Sequence, residues 1–140
     1  MLVADGGGIP LGALIESAQK AEVKLADSTL AKVKVSRPKG RPRNRPKEVV
    51  ADKGYDSEPL RQRWRRRGIK PCVPRRRSKK PRRGRKPDLK GYRQRWIVER
   101  TFAWLGNFRR LVVRWERYAR NYLAFLLIAC AFICLSSISG

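Results

Sequence analysis

The chain contains no histidine. That absence removes the HExxH zinc site, the Ser-His-Asp triad and the Cys-His protease together, because each needs an imidazole as ligand or proton carrier. A general base must then be a carboxylate or a lysine. Acids are scarce as well: 11 Asp and Glu stand against 35 Lys and Arg in 140 residues, a formal net charge of +24. The three cysteines, Cys72, Cys130 and Cys134, form no CxxC pair, and the last two sit one helical turn apart in an apolar run. They read as core thiols in a reducing cytoplasm. No basic stretch precedes Leu2-Val3-Ala4, so no signal peptide is expected. Gly6-Gly7-Gly8 is not followed by GK[ST], which favours a hairpin turn over a phosphate loop.

What is present is positive charge on a chain that is 41% apolar, enough for one domain with a modest core. A charge of this size predicts a polyanionic partner, most simply nucleic acid, with acidic membrane lipid as the weaker rival. Leu2 to Asp5 and Leu11 to Ile15 read as a hairpin, and Ala18 to Val33 as an amphipathic helix through Val23, Ala26, Leu30 and Val33. Residues 36–47 interleave Arg and Lys with Pro, Gly and Asn, which prevents helix and ladder alike and leaves an exposed basic loop. Val49 to Asp52 reads as a short strand. A helix then starts at Asp56-Ser57-Glu58-Pro59, runs to about Arg67 and stops at Gly68, and Ile69 to Val73 forms an edge strand because of Pro71. Residues 74–90 form a second basic loop, whose stretch from Pro74 to Pro87 is too charged to bury itself and is expected to be disordered in solution.

Helix resumes near Gly91, carries Glu99, and turns at Gly106-Asn107 towards a final apolar helix over 121–138. Arg114, Arg117 and Arg120 before the uncharged run from Tyr122 to Ile138 imitate a positive-inside anchor, but the run is short for a membrane span. A buried core helix is the favoured reading, with a membrane segment as the other.

Two carboxylates stand in settings suited to chemistry. Asp52 ends an apolar strand directly before Lys53-Gly54, and ligands of α/β sheets gather at the carboxyl ends of strands. The plainer reading is a turn Asp, although Asp56 and Ser57 already serve the helix that follows. On an α-helix, 100° steps place Tyr92 about 20° and Arg95 about 40° from Glu99, with Trp96, Phe102 and Ala103 bordering the same face. A carboxylate among aromatics suggests a pocket wall; the alternative is an Arg95–Glu99 surface ion pair, worth a few tenths of a kcal/mol.

Taken together these stretches resemble the DDE transposases of bacterial insertion sequences, in particular the insertion-sequence-five-like branch of the superfamily of insertion sequences four and five. The resemblance is carried by Leu2-Val3-Ala4-Asp5-Gly6 with Gly8-Ile9-Pro10-Leu11, and by Ala51-Asp52-Lys53-Gly54-Tyr55-Asp56-Ser57. It continues in Tyr92-x-x-Arg95-x-x-x-Glu99-Arg100-Thr101-Phe102-Ala103-Trp104-Leu105 with Phe108-Arg109-Arg110-Leu111, so that nearly the whole chain is covered. It implies an α/β, RNase H-like catalytic core, of which residues 1–140 are the C-terminal portion and from which the first strand is missing. Asp52 would be the second triad Asp and Glu99 the triad Glu, together holding divalent metal, most simply Mg2+, for strand cleavage and transfer on DNA. Tyr92 and Arg95 match the signature around the Glu and would orient it or hold phosphate. The signature usually ends with Lys or Arg seven residues past the Glu; here that position is Gly106. Asp5 matches a variable hairpin and not the first triad Asp, which belongs on a strand upstream. Two histories fit: the downstream frame of an element joined to its upstream half by frameshifting, or a decayed remnant. The implied partners are transposon ends and target DNA, an upstream transposase half and a second copy of the chain, in the cytoplasm and off the membrane.

The DNA contacts are expected from Arg41, Arg43 and Arg45 in the first loop, and from Arg75, Arg76, Arg77, Lys79, Lys80, Arg82 and Arg83 in the second. Arg61, Arg63, Arg65, Arg66 and Arg67 coat the intervening helix, anchored by Trp64. The bland reading of such runs is a solvated face. The rival functions are a small basic nucleic-acid-binding module without catalysis, which leaves Asp52 and Glu99 unexplained, and a membrane-tethered basic peptide. Contacts of this kind are electrostatic. Binding of random duplex DNA, measured by fluorescence anisotropy, should therefore weaken by roughly a thousandfold or more between about 50 and 200 mM salt.

Overall fold

The computed structural model describes residues 1–17, 19–77 and 86–139. Their elements follow the order β1 (Leu2–Ala4), β2 (Pro10–Ala13), α1 (Glu22–Leu30), β3 (Glu48–Val50), α2 (Glu58–Arg66), β4 (Lys70–Cys72), α3 (Trp96–Gly106), α4 (Arg109–Val112) and α5 (Ala119–Ser139). Two 3-10 turns, Lys53–Tyr55 and Lys90–Arg95, precede α2 and α3. This mixture of helix and strand is an α/β arrangement, divided into one unit of Met1–Asn44 with Trp96–Gly140 and another of Arg45–Arg95.

In the first unit β1 and β2 form an antiparallel hairpin with a register irregularity between Val3 and Ala4. Gly8 closes its turn at φ 86°, a left-handed conformation that side-chain-bearing residues avoid. A Cβ there would also lie 3.1 to 3.3 Å from Arg100, Thr101 and Trp104. Helix α1 packs on the hairpin through Ala26, Thr29 and Leu30. It starts at Glu22, later than the expected Ala18, and Ala18 itself lies outside the described residues. The loop 36–47 is exposed, as its composition implies, apart from half-buried Pro46. One antiparallel bridge crosses it, with Val35 and Arg43 exchanging N–H···O bonds of 2.8 and 2.7 Å. A single bridged pair needs no donor from the flanking prolines, which is why it survives there.

The core of this unit gathers Leu105, Ala129 and Cys130, bordered by Leu2, Phe108, Leu111, Leu126 and Ile133. Helix α5 forms as expected, but the expectation that it is a buried core helix is corrected. Its most apolar window has mean hydropathy 2.3, yet only 11% of it is buried. Leu127, Ile128, Phe132, Leu135 and Ile138 are all more than half exposed. The helix is apolar on every side, and α3, α4 and β2 cover a single strip of it. By length and composition it could cross a membrane.

The second unit is a parallel β3-α2-β4 unit, with Glu48, Val49 and Val50 opposite Lys70, Pro71 and Cys72. Helix α2 is bounded by local chemistry. The Ser57 hydroxyl accepts from the Leu60 amide at 3.4 Å and Pro59 occupies the first turn. At its other end Gly68 takes φ 70°, with Gly68 N–H donating to Arg65 O (2.9 Å) and Ile69 N–H to Trp64 O (2.8 Å), the paired closure of a Schellman motif. Leu60, Trp64, Ile69, Cys72 and Val73 are at most 1% exposed. Burial of the Cys72 and Cys130 thiols pushes both pKa values up, and all three cysteines are free. The Trp64 indole is the largest buried side chain. Trp64→Ala should cost about 3–5 kcal/mol, and a urea melt followed by circular dichroism should show the helical signal of the second unit lost at lower denaturant.

Candidate active site and basic surface

The parallel ladder continues one residue beyond β3, where Ala51 N–H donates to Cys72 O at 3.2 Å, and Asp52 follows immediately. Asp52 therefore sits just past the carboxyl end of a parallel strand, and it is exposed. It begins the 3-10 turn: its Oδ1 accepts from Gly54 N–H at 2.6 Å, and its carbonyl accepts from Tyr55 N–H at 3.1 Å. A Cβ at Gly54 would stand 2.7 Å from that Oδ1, so a side chain there would make the Asp52 carboxylate shift. The turn-capping reading of Asp52 is thus part of the structure.

Asp56, expected to help start α2, does something else. Its side chain is fully buried and paired with Arg61, whose side chain is 2% exposed. Arg61 also donates to Val73 O at 2.8 Å and Pro74 O at 3.3 Å. Asp56 Oδ2 accepts from Arg76 N–H at 2.6 Å. The Arg76 guanidinium reaches back to the Asp52 turn, donating from Nε to Lys53 O (2.9 Å) and from Nη2 to Gly54 O (3.1 Å). Arg61 is accordingly no part of the exposed basic coat of α2, and Arg76 is engaged with main chain.

Glu99 is on α3, but the expected α-helical face is corrected. Residues 90–95 wind as 3-10 helix, so 100° steps do not relate Tyr92 to Glu99. Tyr92 and Arg95 are half-buried. Helix α3 buries Ile97, Thr101 and Leu105, a stripe at four-residue spacing. Glu99 is exposed, together with Trp96 and Phe102, which are 53% and 52% exposed, so no pocket wall forms around it here. The neighbouring Arg100 lies 4.9 Å from the ring centroids of both Trp96 and Trp104 and donates to Gly7 O at 2.6 Å. Thr101, fully buried, donates to Gly8 O at 2.8 Å. The Trp-x3-Arg-x3-Trp spacing is the signal that would have shown this clamp in the sequence. Asp5 caps the same glycine turn, its Oδ1 accepting from Gly7 N–H (2.8 Å) and Ile9 N–H (2.9 Å).

Of the expected DNA contacts, Arg41, Arg43, Arg45 and Arg77 are exposed and Arg75 is half-buried. Arg45 donates to Arg67 O at 3.2 Å. Lys79, Lys80, Arg82 and Arg83, and the disorder expected around them, lie outside the described residues. On α2, Arg63, Arg65 and Arg66 are exposed, with Arg65 held 3.0 Å from Glu58. At the far root of the second basic loop Lys70 pairs with Asp88 at 3.0 Å and Glu48 at 3.1 Å. Those two carboxylates raise the Lys70 pKa, while the Lys90 amide and Lys70 lower that of Asp88.

Asp52 belongs to the second unit and Glu99 to the first. Among the described residues, no three His, Cys, Asp or Glu side chains come together in a way that could hold a metal ion. Asp52 and Glu99 are oxygen donors of the type magnesium takes, but the described residues alone do not make the donor set of a metal clamp.

A short parallel strand with Asp52 just past its end, a helix carrying Glu99 and a glycine hairpin locked to that helix belong to a class that the comparisons establish. The chain belongs to the DDE transposase family, whose Transposase DDE domain model matches residues 1–134. It is similar to the "Putative transposase for insertion sequence element IS402" of Burkholderia cepacia, with 40% identity over 138 residues, 98% of this chain and 62% of that protein. The chain thus spans less than two thirds of that relative's length. No solved structure matches it.

Breaking a buried ion pair by removing one partner leaves a charge without compensation. Asp56→Asn should therefore cost about 3–5 kcal/mol in a urea melt followed by Trp fluorescence. Asp52→Asn, which keeps a capping oxygen at an exposed turn, should stay within about 0.5 kcal/mol of the parent.

Proposed function

We propose that this chain serves in DNA transposition as the C-terminal portion of a transposase catalytic domain of the insertion-sequence-five-like branch, in the cytoplasm. Its fold is RNase H-like and lacks the first strand, and its reaction class is metal-dependent phosphoryl transfer on DNA. Asp52 and Glu99 supply two of three carboxylates for a divalent metal, Mg2+ by its preference for carboxylate and water oxygens. Tyr92 and Arg95 support Glu99 or hold phosphate. The observation that carries the reading is Asp52 itself: in a chain matched by the DDE domain over residues 1–134, it stands exposed just beyond the carboxyl end of a parallel strand.

The third carboxylate comes from outside the described residues, supplied by an upstream transposase half. The exposed arginines of the loops and of α2 bind DNA phosphate without reading sequence. With two of three carboxylates the chain alone has no complete metal clamp and is inactive.

Purified chain incubated with supercoiled plasmid and Mg2+ or Mn2+ should give no nicking above buffer. Fused to the portion of the IS402 transposase that it does not span, it should nick DNA, and Asp52→Ala or Glu99→Ala should return nicking to background. Divalent-dependent nicking by the unfused chain, abolished by Asp52→Ala, would overturn the inactivity. A fusion whose nicking survives both substitutions would overturn the site and leave a basic nucleic-acid-binding module.

A further inference from the structure

Arg76 stands in a run of basic residues, Arg75-Arg76-Arg77, where the default role is phosphate contact. Its hydrogen bonds point elsewhere. Two donors of the guanidinium grip the carbonyls of Lys53 and Gly54, the two residues immediately after Asp52. Those carbonyls belong to the 3-10 turn whose first amide bond is made by the Asp52 carboxylate. The Arg76 main chain is itself fixed, because its N–H is accepted by the buried Asp56 carboxylate. Arg61 holds that carboxylate in turn and anchors the approaching strand end at Val73 and Pro74. A chain of charge-assisted contacts therefore runs from the buried Asp56–Arg61 pair, through Arg76, to the turn that presents Asp52.

We propose that Arg76 is a positioning residue for Asp52. Its guanidinium clasps the Lys53–Gly54 carbonyls and holds the Asp52 carboxylate in its capping geometry, while the Asp56–Arg61 pair sets where Arg76 stands. The chemical use of a held Asp52 rests on its proposed role as a metal ligand; the clasp does not. A carboxylate that is to share a metal must keep its place without relying on the metal, and a two-point guanidinium grip on the adjoining carbonyls restricts the turn as a single ammonium could not. The coupling also works in reverse. A DNA phosphate that captured Arg76 would release the turn, so the residue cannot serve both partners at once with the same donors.

The Gly54 amide reports the cap, because its N–H donates to Asp52 Oδ1. Hydrogen exchange read by NMR on the full chain should show Gly54 exchanging at least about tenfold faster in Arg76→Ala. The Leu60 amide, capped independently by Ser57, should be unchanged, and Arg76→Lys should restore part of the protection. Gly54 exchange that is unchanged in Arg76→Ala would overturn the proposal. So would a rise shared equally by Leu60, which would mean general loosening, or an unchanged Gly54 accompanied by lost DNA affinity, which would make Arg76 a phosphate contact. Mn2+ broadening of the Asp52 resonances in the fusion to the portion of the IS402 transposase that this chain does not span, which would supply the third carboxylate, tests the metal role separately. If it is absent there, Asp52 is not a ligand, and the clasp still stands or falls on Gly54.

Discussion

The buried pair of Asp56 and Arg61 is the constraint on which the second unit depends. In a chain with 35 cations and 11 acids, a fully enclosed arginine has to be neutralised nearby or left in solvent. Asp56 meets that requirement, and Arg61 then donates to the carbonyls of Val73 and Pro74, beyond the end of β4. One ion pair thereby ties the crossover helix α2 to the strand exit and, through Arg76, to the turn after β3. The geometry of the parallel β3-α2-β4 unit and the presentation of Asp52 depend on the same contact.

The first unit uses a different device for a comparable problem. A triple-glycine turn has little to hold it, since its glycines bring no side chains to pack. Here its carbonyls are taken by Arg100 and Thr101 from α3, and Arg100 is itself held between two indoles. Helix α3 is therefore fixed to the hairpin one residue beyond Glu99, while Glu99 itself faces outward. In each unit a carboxylate proposed to act in chemistry stands exposed on an element that neighbouring arginines lock in place.

Scarcity of acids shapes the rest of the surface. Glu58 engages Arg65, Glu48 and Asp88 share Lys70, and Glu116 meets Arg110. The first lies on α2, the Lys70 pairs at the roots of the basic loops and the last at the α4–α5 connection, where unrelieved repulsion would otherwise act on the fold. Arg41, Arg43 and Arg45 of the first loop are left exposed. The apolar surface of α5 is a further exposed feature among the described residues.

Local chemistry alone determined much of this protein. The hairpin followed from its glycines, α2 from Ser57, Pro59 and Gly68, the edge character of β4 from Pro71, and the family from the Asp52 and Glu99 stretches, because caps, turns and motifs are encoded within a few residues. The tertiary structure decided what depends on partners distant in sequence. It buried Arg61 among residues that look solvated, since its neutralising carboxylate and its carbonyl acceptors come from two other segments, the turn at Asp56 and the chain at Val73–Pro74. It set the Arg76 guanidinium on the carbonyls of Lys53 and Gly54, wound residues 90–95 as 3-10 helix, and left α5 largely uncovered. None of these is local: a charge is buried, or an apolar helix exposed, according to what the rest of the fold brings against it.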